Sequence, residues 1–406
     1  MGNKVFLVAL GVALVALTYN NYLRTKGENR YIFRAEWYDP VSATVKKFHL
    51  SFFPRDKSVE MYDLRAQRLF LKRIAVEGVE ERDLYPGNTV VVLSRQLKIT
   101  GYADSFTRES ITSRRQRTFA MIKPDAVGQL GEILDVIEGR EFEITQMKMV
   151  RLTQSQAAAF YREHEGRKFF EALLEYMTSG PVVAMELTGQ DAVSRWRATL
   201  GPTDSSVART DTPNSIRALF GTDKQANAAH GSDSELSATR EIEFFFPSSK
   251  VVDELLPQTT AILSNNTCCI IKPHAVTAGH TGGILKAVKE EGFEVTALQM
   301  FRMDKVQSEE FLEVYKGVVA EYPGMVQQLI SGPCIALEVT SNRHGDLTPT
   351  KFRDLVGPSD PSVAQELRPN SLRARFGSDR VRNALHCSDL PEDGPLEVEY
   401  FFKILQ

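Results

Sequence analysis

Two histidines stand in matching surroundings. NAAH at 227–230 runs into GSDS, and NALH at 383–386 runs into CSDL, so His230 and His386 each follow an asparagine by three residues and precede a Ser-Asp pair by two. Neutral imidazole is a nucleophile near pH 7, because its unperturbed pKa is about 6.5. Lys123, Arg197, Thr203 and Arg217 form a candidate anion clamp for what it attacks, since guanidinium groups grip phosphate oxygens in pairs. Glu241, eleven residues past His230 and across one helix, is placed to hold the second ring nitrogen and fix its tautomer. Tyr161, Phe169 and Asn227 complete the set. Singly, each has an ordinary explanation: solvated strand end, surface charge or helix packing. The chain has no G-x-x-x-x-G-K-[ST] loop, so side chains rather than a cradle of backbone N–H groups must hold any phosphate.

Recurrence changes that weighing. FAMIKPDAVGQLGEILDVIEGREFEITQMKMVRL (119–152) matches CIIKPHAVTAGHTGGILKAVKEEGFEVTALQMFRM (269–303). SGPVVAMEL pairs with SGPCIALEV, LGPTDSSVARTDTPNSIRALFG with VGPSDPSVAQELRPNSLRARFG, and EIEFFF with EVEYFF, all in the same order. The chain therefore carries two copies of one domain, 113–247 and 266–406, joined by a linker at 248–265. Lys272, Tyr315, Arg353, Ser359, Arg373, Asn383, His386 and Glu397 repeat the polar set of the first copy. Polar identity that persists where apolar residues have drifted is hard to assign to packing. Aliphatic runs such as PVVAMEL alternate with helical periods such as ILDVIEGREF, which predicts an α/β (α+β) sandwich with helices over one sheet.

The apolar and charged fractions, 42% and 25%, are those of a globular protein, and 406 residues suffice for about three domains. A net charge of −3 offers no footprint for nucleic acid. The four cysteines lack zinc or disulfide spacing and fit a reducing compartment. VFLVALGVALVAL, within residues 1–26, is too short to span a bilayer comfortably and lacks a cleavage pattern, leaving an extension, a docking helix or an anchor open. Residues 27–112 read as short strands without an acid, base and nucleophile cluster, hence a small β-rich binding module.

IKPDAV, SGPVVAMEL, NSIRALFG and above all NAAHGSDS resemble the nucleoside diphosphate kinases. The resemblance implies ferredoxin-like domains and ping-pong transfer of a γ-phosphate from ATP, with Mg2+ arriving on the nucleotide. It implies that His230 is phosphorylated, that Glu241 orients its ring, and that Lys123, Tyr161 and Asn227 contact sugar and phosphates. It further implies that Arg197, Thr203 and Arg217 bind the phosphates while Phe169 stacks on the base. In the second copy it places His386 as the nucleophile and Lys272, Tyr315, Arg353, Ser359, Arg373 and Asn383 as nucleotide contacts. Residues 27–112 resemble the DM-ten domain, pleckstrin-like in shape and found in proteins of ciliary doublet microtubules. That implies tubulin and other ciliary proteins as partners, the gamma-tubulin ring complex as a further candidate, and the cytoplasm, axoneme or centrosome as location.

The second copy departs from the pattern. The Tyr315–Ser331 stretch is two residues shorter than Tyr161–Ser179, so Phe169 lacks a clear counterpart, with Tyr322 the nearest. Cys387 replaces Gly231, where a Cβ would strain a backbone of positive φ. DLPEDGPLEVE replaces DSELSATREIE, and its prolines argue against the same helix and make Glu397 a doubtful partner for His386. The second copy is thus expected to be impaired or regulatory. In the first, Ser232-x-x-Glu235 fits a capping box that would start the helix just after the histidine.

Overall fold

A computed structural model describes residues 30–39, 42–76, 78–93, 95–112, 116–247 and 256–405. The apolar head lies outside them. No helix among the described residues is long and apolar enough to cross a membrane. The chain divides into two compact units, one ending at Arg114 and one beginning at Arg115.

The first unit is one antiparallel sheet of β1 (Tyr31–Asp39), β2 (Thr44–Phe53), β3 (Ser58–Asp63), β4 (Arg68–Ala75), β5 (Thr89–Val92) and β6 (Arg95–Tyr102). Its order is β4-β3-β2-β1-β6-β5. The period-two row Phe48, Leu50, Phe52 on β2 joins Phe33, Met61 and Leu97 in its core. The helix Ser105–Thr112 packs on that core through Ile111 and Phe106, and Thr107 Oγ1 accepts the Ile32 amide at 2.8 Å.

The second unit holds both copies. The first contributes β7 (Gln116–Ile122), β8 (Glu143–Arg151), β9 (Val182–Gly189) and β10 (Ala229–Gly231); after a linker strand β11 (Gln258–Thr259), the second contributes β12 (Thr267–Ile271), β13 (Glu294–Phe301), β14 (Cys334–Thr340) and β15 (Leu385–Cys387). The order β10-β7-β9-β8-β13-β14-β12-β15 is one four-stranded ferredoxin-like arrangement followed by its mirror order. Alternation along β7 gives each face its core. Ala120 and Ile122 meet the helices Leu130–Gly139 and Ala192–Leu200, whereas Phe119 and Met121 meet Gln154–Phe160, Phe170–Thr178 and Glu235–Phe245. Equivalent bulges, between Ile144 and Gln146 on β8 and between Val295 and Ala297 on β13, show how faithfully the backbone is repeated.

The copies join where β8 meets β13, through the Lys148–Gln299 pair, and where Leu130–Gly139 crosses Thr281–Glu290. The helices approach closely because each carries glycine at the crossing. A Cβ on Gly131 would lie 2.7 Å from the Lys286 amide nitrogen, and one on Gly282 would lie 2.8 Å from the Gly131 carbonyl. Ile133, Ile137, Ile284 and Val288 of the same two helices are buried in the common core, and across the crossing the Gly282 amide donates to Glu138 Oε2 at 3.2 Å. Lys286–Asp135 and Lys289–Glu132, each at 2.9 Å, flank it, half-exposed and worth at most about 1 kcal/mol apiece.

Candidate active site

His230 lies on β10 opposite Met121 of β7, its ring on an aromatic floor of Phe160 (5.5 Å), Phe119 (6.0 Å) and Tyr161 (6.1 Å between centroids). The loop that delivers it is strained. Ala228 has φ +67° and Ala384 φ +69°, a left-handed conformation that costs a non-glycine residue about 1–2 kcal/mol. Tertiary bonds hold it: the Ala228 amide donates to Asp125 Oδ2 at 3.0 Å, and its carbonyl accepts the Lys123 amide at 2.9 Å.

Nε2 of His230 lies 3.0 Å from Glu241 Oε2, and Ser232 Oγ donates to the same oxygen at 2.7 Å. A carboxylate accepts only, so Nε2 carries the proton and Nδ1 keeps its lone pair for a nucleophilic attack. Ser232 is thereby spent on Glu241. The helix Glu235–Phe245 is instead capped by Ser234, whose Oγ accepts the Ser237 amide at 3.2 Å, which corrects the box expected at Ser232 and Glu235.

Around the histidine the polar side chains converge. Lys123 Nζ donates to Asn227 Oδ1 at 2.7 Å, and Asn227 Nδ2 donates to the Thr203 carbonyl at 2.9 Å. Burial, then the Arg217 charge, pushes the Lys123 ammonium down to about 8. Arg217 donates to the carbonyls of Gly201 (2.9 Å) and Ala229 (3.1 Å); burial and neighbouring Arg197 lower it to about 10. The Arg197 guanidinium makes no hydrogen bond or ion pair among the described residues, and the buried Tyr161 hydroxyl has no partner among them either. Half-exposed Phe169 sits against His164 at 5.6 Å, directly before the helix Phe170–Thr178.

The second copy is more complete than its sequence promised. Lys272, Tyr315, Arg353, Ser359, Arg373, Asn383 and His386 all line one cleft of about 530 Å³. Glu397 reaches His386 Nε2 at 2.9 Å and accepts from Ser388 Oγ at 2.9 Å, so the doubt about Glu397 is overturned. The helix Asp393–Glu399 forms because Pro395 falls in its first turn, where the missing N–H would have no intrahelical partner. Lys272 donates to Asn383 Oδ1 at 2.6 Å and is pushed down to about 7 by burial and Arg373. Arg373 donates to the Gly357 carbonyl at 2.9 Å, as Arg217 does to Gly201.

Two other expectations are corrected. Gly231 does not have positive φ; a Cβ there would stand 2.4 Å from Trp196 Cδ1, so space is what demands glycine. At the matching place in the second copy Phe352 replaces Trp196, and Cys387 is buried in the same core. Tyr322 begins the helix Tyr322–Leu329 and is not part of the cleft wall; the position equivalent to Phe169 is Glu321, which lines it. Glu321 pairs with Arg380 (3.4 Å), which also pairs with Asp360 (2.8 Å).

Several contributing residues escape sequence reasoning. Asp125 binds the Tyr176 hydroxyl at 2.5 Å, and the second copy exchanges both partners for His274 and Gln328, 3.0 Å apart. His274 Nε2 accepts the Ala384 amide at 3.1 Å; burial, then Lys272, lowers its pKa to about 4. Only a paired exchange between copies could have signalled them. Ser232 and Ser388, by contrast, repeat beside the histidines and were within reach.

Comparison with known proteins agrees with this geometry. The family model "Nucleoside diphosphate kinase" matches residues 116–251 and 265–405. The chain is 50% identical over 386 residues to nucleoside diphosphate kinase homolog 7 of Rattus norvegicus, covering 95% of this chain and 96% of that one. The Mus musculus counterpart has the same identity and coverage. A nucleoside diphosphate kinase of Aquifex aeolicus is 51% identical over 139 residues, 34% of this chain and 98% of its own. With a tandem match across both copies and half the residues shared along nearly the whole length, this chain belongs to the nucleoside diphosphate kinase family.

Proposed function

We propose that the chain transfers the γ-phosphate of a nucleoside triphosphate to a nucleoside diphosphate through phosphohistidine at His230, and that His386 is equipped for the same step. The observation that carries this is the His230–Glu241 pair, which leaves Nδ1 unprotonated, while Arg217 grips the adjoining Ala229 carbonyl and lies close enough to Lys123 and Arg197 to share their field. The Nδ1 lone pair attacks the γ-phosphorus, the N–P bond forms as the bond to the bridging oxygen breaks, and the nucleoside diphosphate departs. Glu241 then faces a cationic ring and offsets its charge. A second diphosphate attacks the phosphorus through its terminal oxygen, restoring the neutral imidazole. In this reading Mg2+ comes in on the phosphates of the nucleotide and would offset their charge there, while Lys123, Arg197 and Arg217 hold them. Incubation with γ-labelled ATP is expected to give an acid-labile, base-stable phosphoenzyme that His230→Ala loses; unchanged label and transfer in that variant would sink the assignment.

A second role is compatible with the first: residues 27–112 attach the chain to tubulin in ciliary doublet microtubules, or to the centrosome through the gamma-tubulin ring complex. Supporting it, the edge strand β4 exposes Leu69, Phe70 and Ile74 beside Arg68 and Lys72, an apolar and basic rim suited to an acidic protein surface. Removing residues 1–112 is expected to abolish axonemal or centrosomal localisation while transfer persists. Normal decoration of axonemes by the truncated chain would refute it.

A further inference from the structure

The two copies treat one aspartate in opposite ways. Asp233 follows Ser232 and is tied to its own helix start: Ser237 Oγ donates to its Oδ1 at 2.7 Å and Ser234 Oγ at 3.0 Å. The equivalent Asp389 has lost both partners, because Leu390 stands for Ser234 and Asp393 for Ser237. Asp393 caps the Leu390 amide instead and adds a like charge nearby. Asp389 turns to the cleft. Its Oδ2 accepts the Tyr315 hydroxyl at 2.5 Å, and its Oδ1 forms an ion pair with Arg353. Those are the counterparts of Tyr161 and Arg197, which among the described residues make no side-chain hydrogen bond or ion pair in the first copy, where Arg197 acts on Asp233 only through the field of its charge.

We propose that Asp389 is the affinity-setting residue of the second site: an internal carboxylate seated in its phosphate clamp, which a nucleoside di- or triphosphate must displace before it binds. Burial alone would favour the uncharged acid, but Tyr315 and Arg353 outweigh it and hold the carboxyl below its usual range, so the competing charge is present at neutral pH. The cause is the sequence Leu390-Pro391-Glu392-Asp393, which starts the helix later and removes the hydroxyls that hold Asp233 in the first copy. The two sites therefore differ in affinity although their histidine–carboxylate pairs are alike.

The inference rests on the nucleotide reading of both clefts. Its test is calorimetric titration of the full chain with magnesium ADP, in an Arg217→Gln background that silences the first site. Asp389→Asn is expected to tighten the second site about tenfold. Leu390→Ser with Asp393→Ser, which rebuilds the hydroxyl partners and leaves Asp389 in place, is expected to tighten it as well. A change below threefold in both variants overturns the proposal. Wild-type chain that binds no magnesium ADP at all overturns the nucleotide reading itself, whereas binding at the first site with an unresponsive second site removes only the role of Asp389.

Discussion

Trp196 lies against the backbone of Gly231 so closely that a Cβ on the glycine would stand 2.5 Å from the indole Nε1, while that nitrogen donates to the His230 carbonyl at 3.2 Å. The tryptophan thus fixes the strand that presents His230 and excludes any side chain after it. Gly231→Cys alone is expected to cost about 1–3 kcal/mol by overpacking. Trp196→Phe with Gly231→Cys, which copies Phe352 and Cys387, should recover much of that. Denaturant unfolding of the two single variants and the double variant measures the coupling; strict additivity would show that the residues do not compete for space.

Glu241 Oε2 lies 3.0 Å from His230 Nε2 and, in the proposed phosphoenzyme, would face a charged ring. Glu241→Gln keeps the shape but removes the anion. A hydrogen bond to a charged group is worth about 1.5–3 kcal/mol, so phosphoenzyme formation is expected to slow roughly 10- to 100-fold. Rapid-quench measurement of the first turnover should show this with nucleotide affinity little changed. A loss confined to affinity would place Glu241 in binding instead.

Lys272 is held at about 7 in the folded protein, first by burial and then by Arg373, against 10.5 for a free lysine. Its sign differs from that of a paired lysine. Between pH 7 and 10.5 the unfolded chain holds the proton that the fold has released, so this group makes stability rise with pH across that window. Below pH 7 both states are charged and its full penalty applies. Lys272→Met should flatten the rise relative to the parent in denaturant titrations at pH 7 and 9. Phosphate favours the ammonium again, so second-site binding at pH 8 should take up protons, read as heat that varies with the ionisation enthalpy of the buffer.

The residues legible in the sequence were those kept in both copies for their polar chemistry: Lys123 with Lys272, Arg217 with Arg373, Asn227 with Asn383. The repeated strand and helix periods likewise led to the sandwich. What escaped was decided by contacts distant in sequence. Ser232 matched a capping pattern, yet Glu241 claims its hydroxyl and the cap passes to Ser234. A glycine after the histidine looked like backbone freedom, but the left-handed residues are Ala228 and Ala384, and the glycine answers to Trp196. Pro391 and Pro395 near Glu397 looked fatal to a helix because it was not visible that the first precedes the helix and the second falls in its first turn.

The crossing of Leu130–Gly139 with Thr281–Glu290 sets Asp135 against Lys286, and these are equivalent positions of the two copies. In a pair of identical subunits, a residue on the twofold axis meets itself, so an acid there would face an acid and a lysine a lysine. Covalent duplication lifts that restriction. One copy has become the acidic partner and the other the basic one, with Glu132 and Lys289 extending the division. The halves are no longer interchangeable: at the position where identical subunits would have to match, one carries an acid and the other a base.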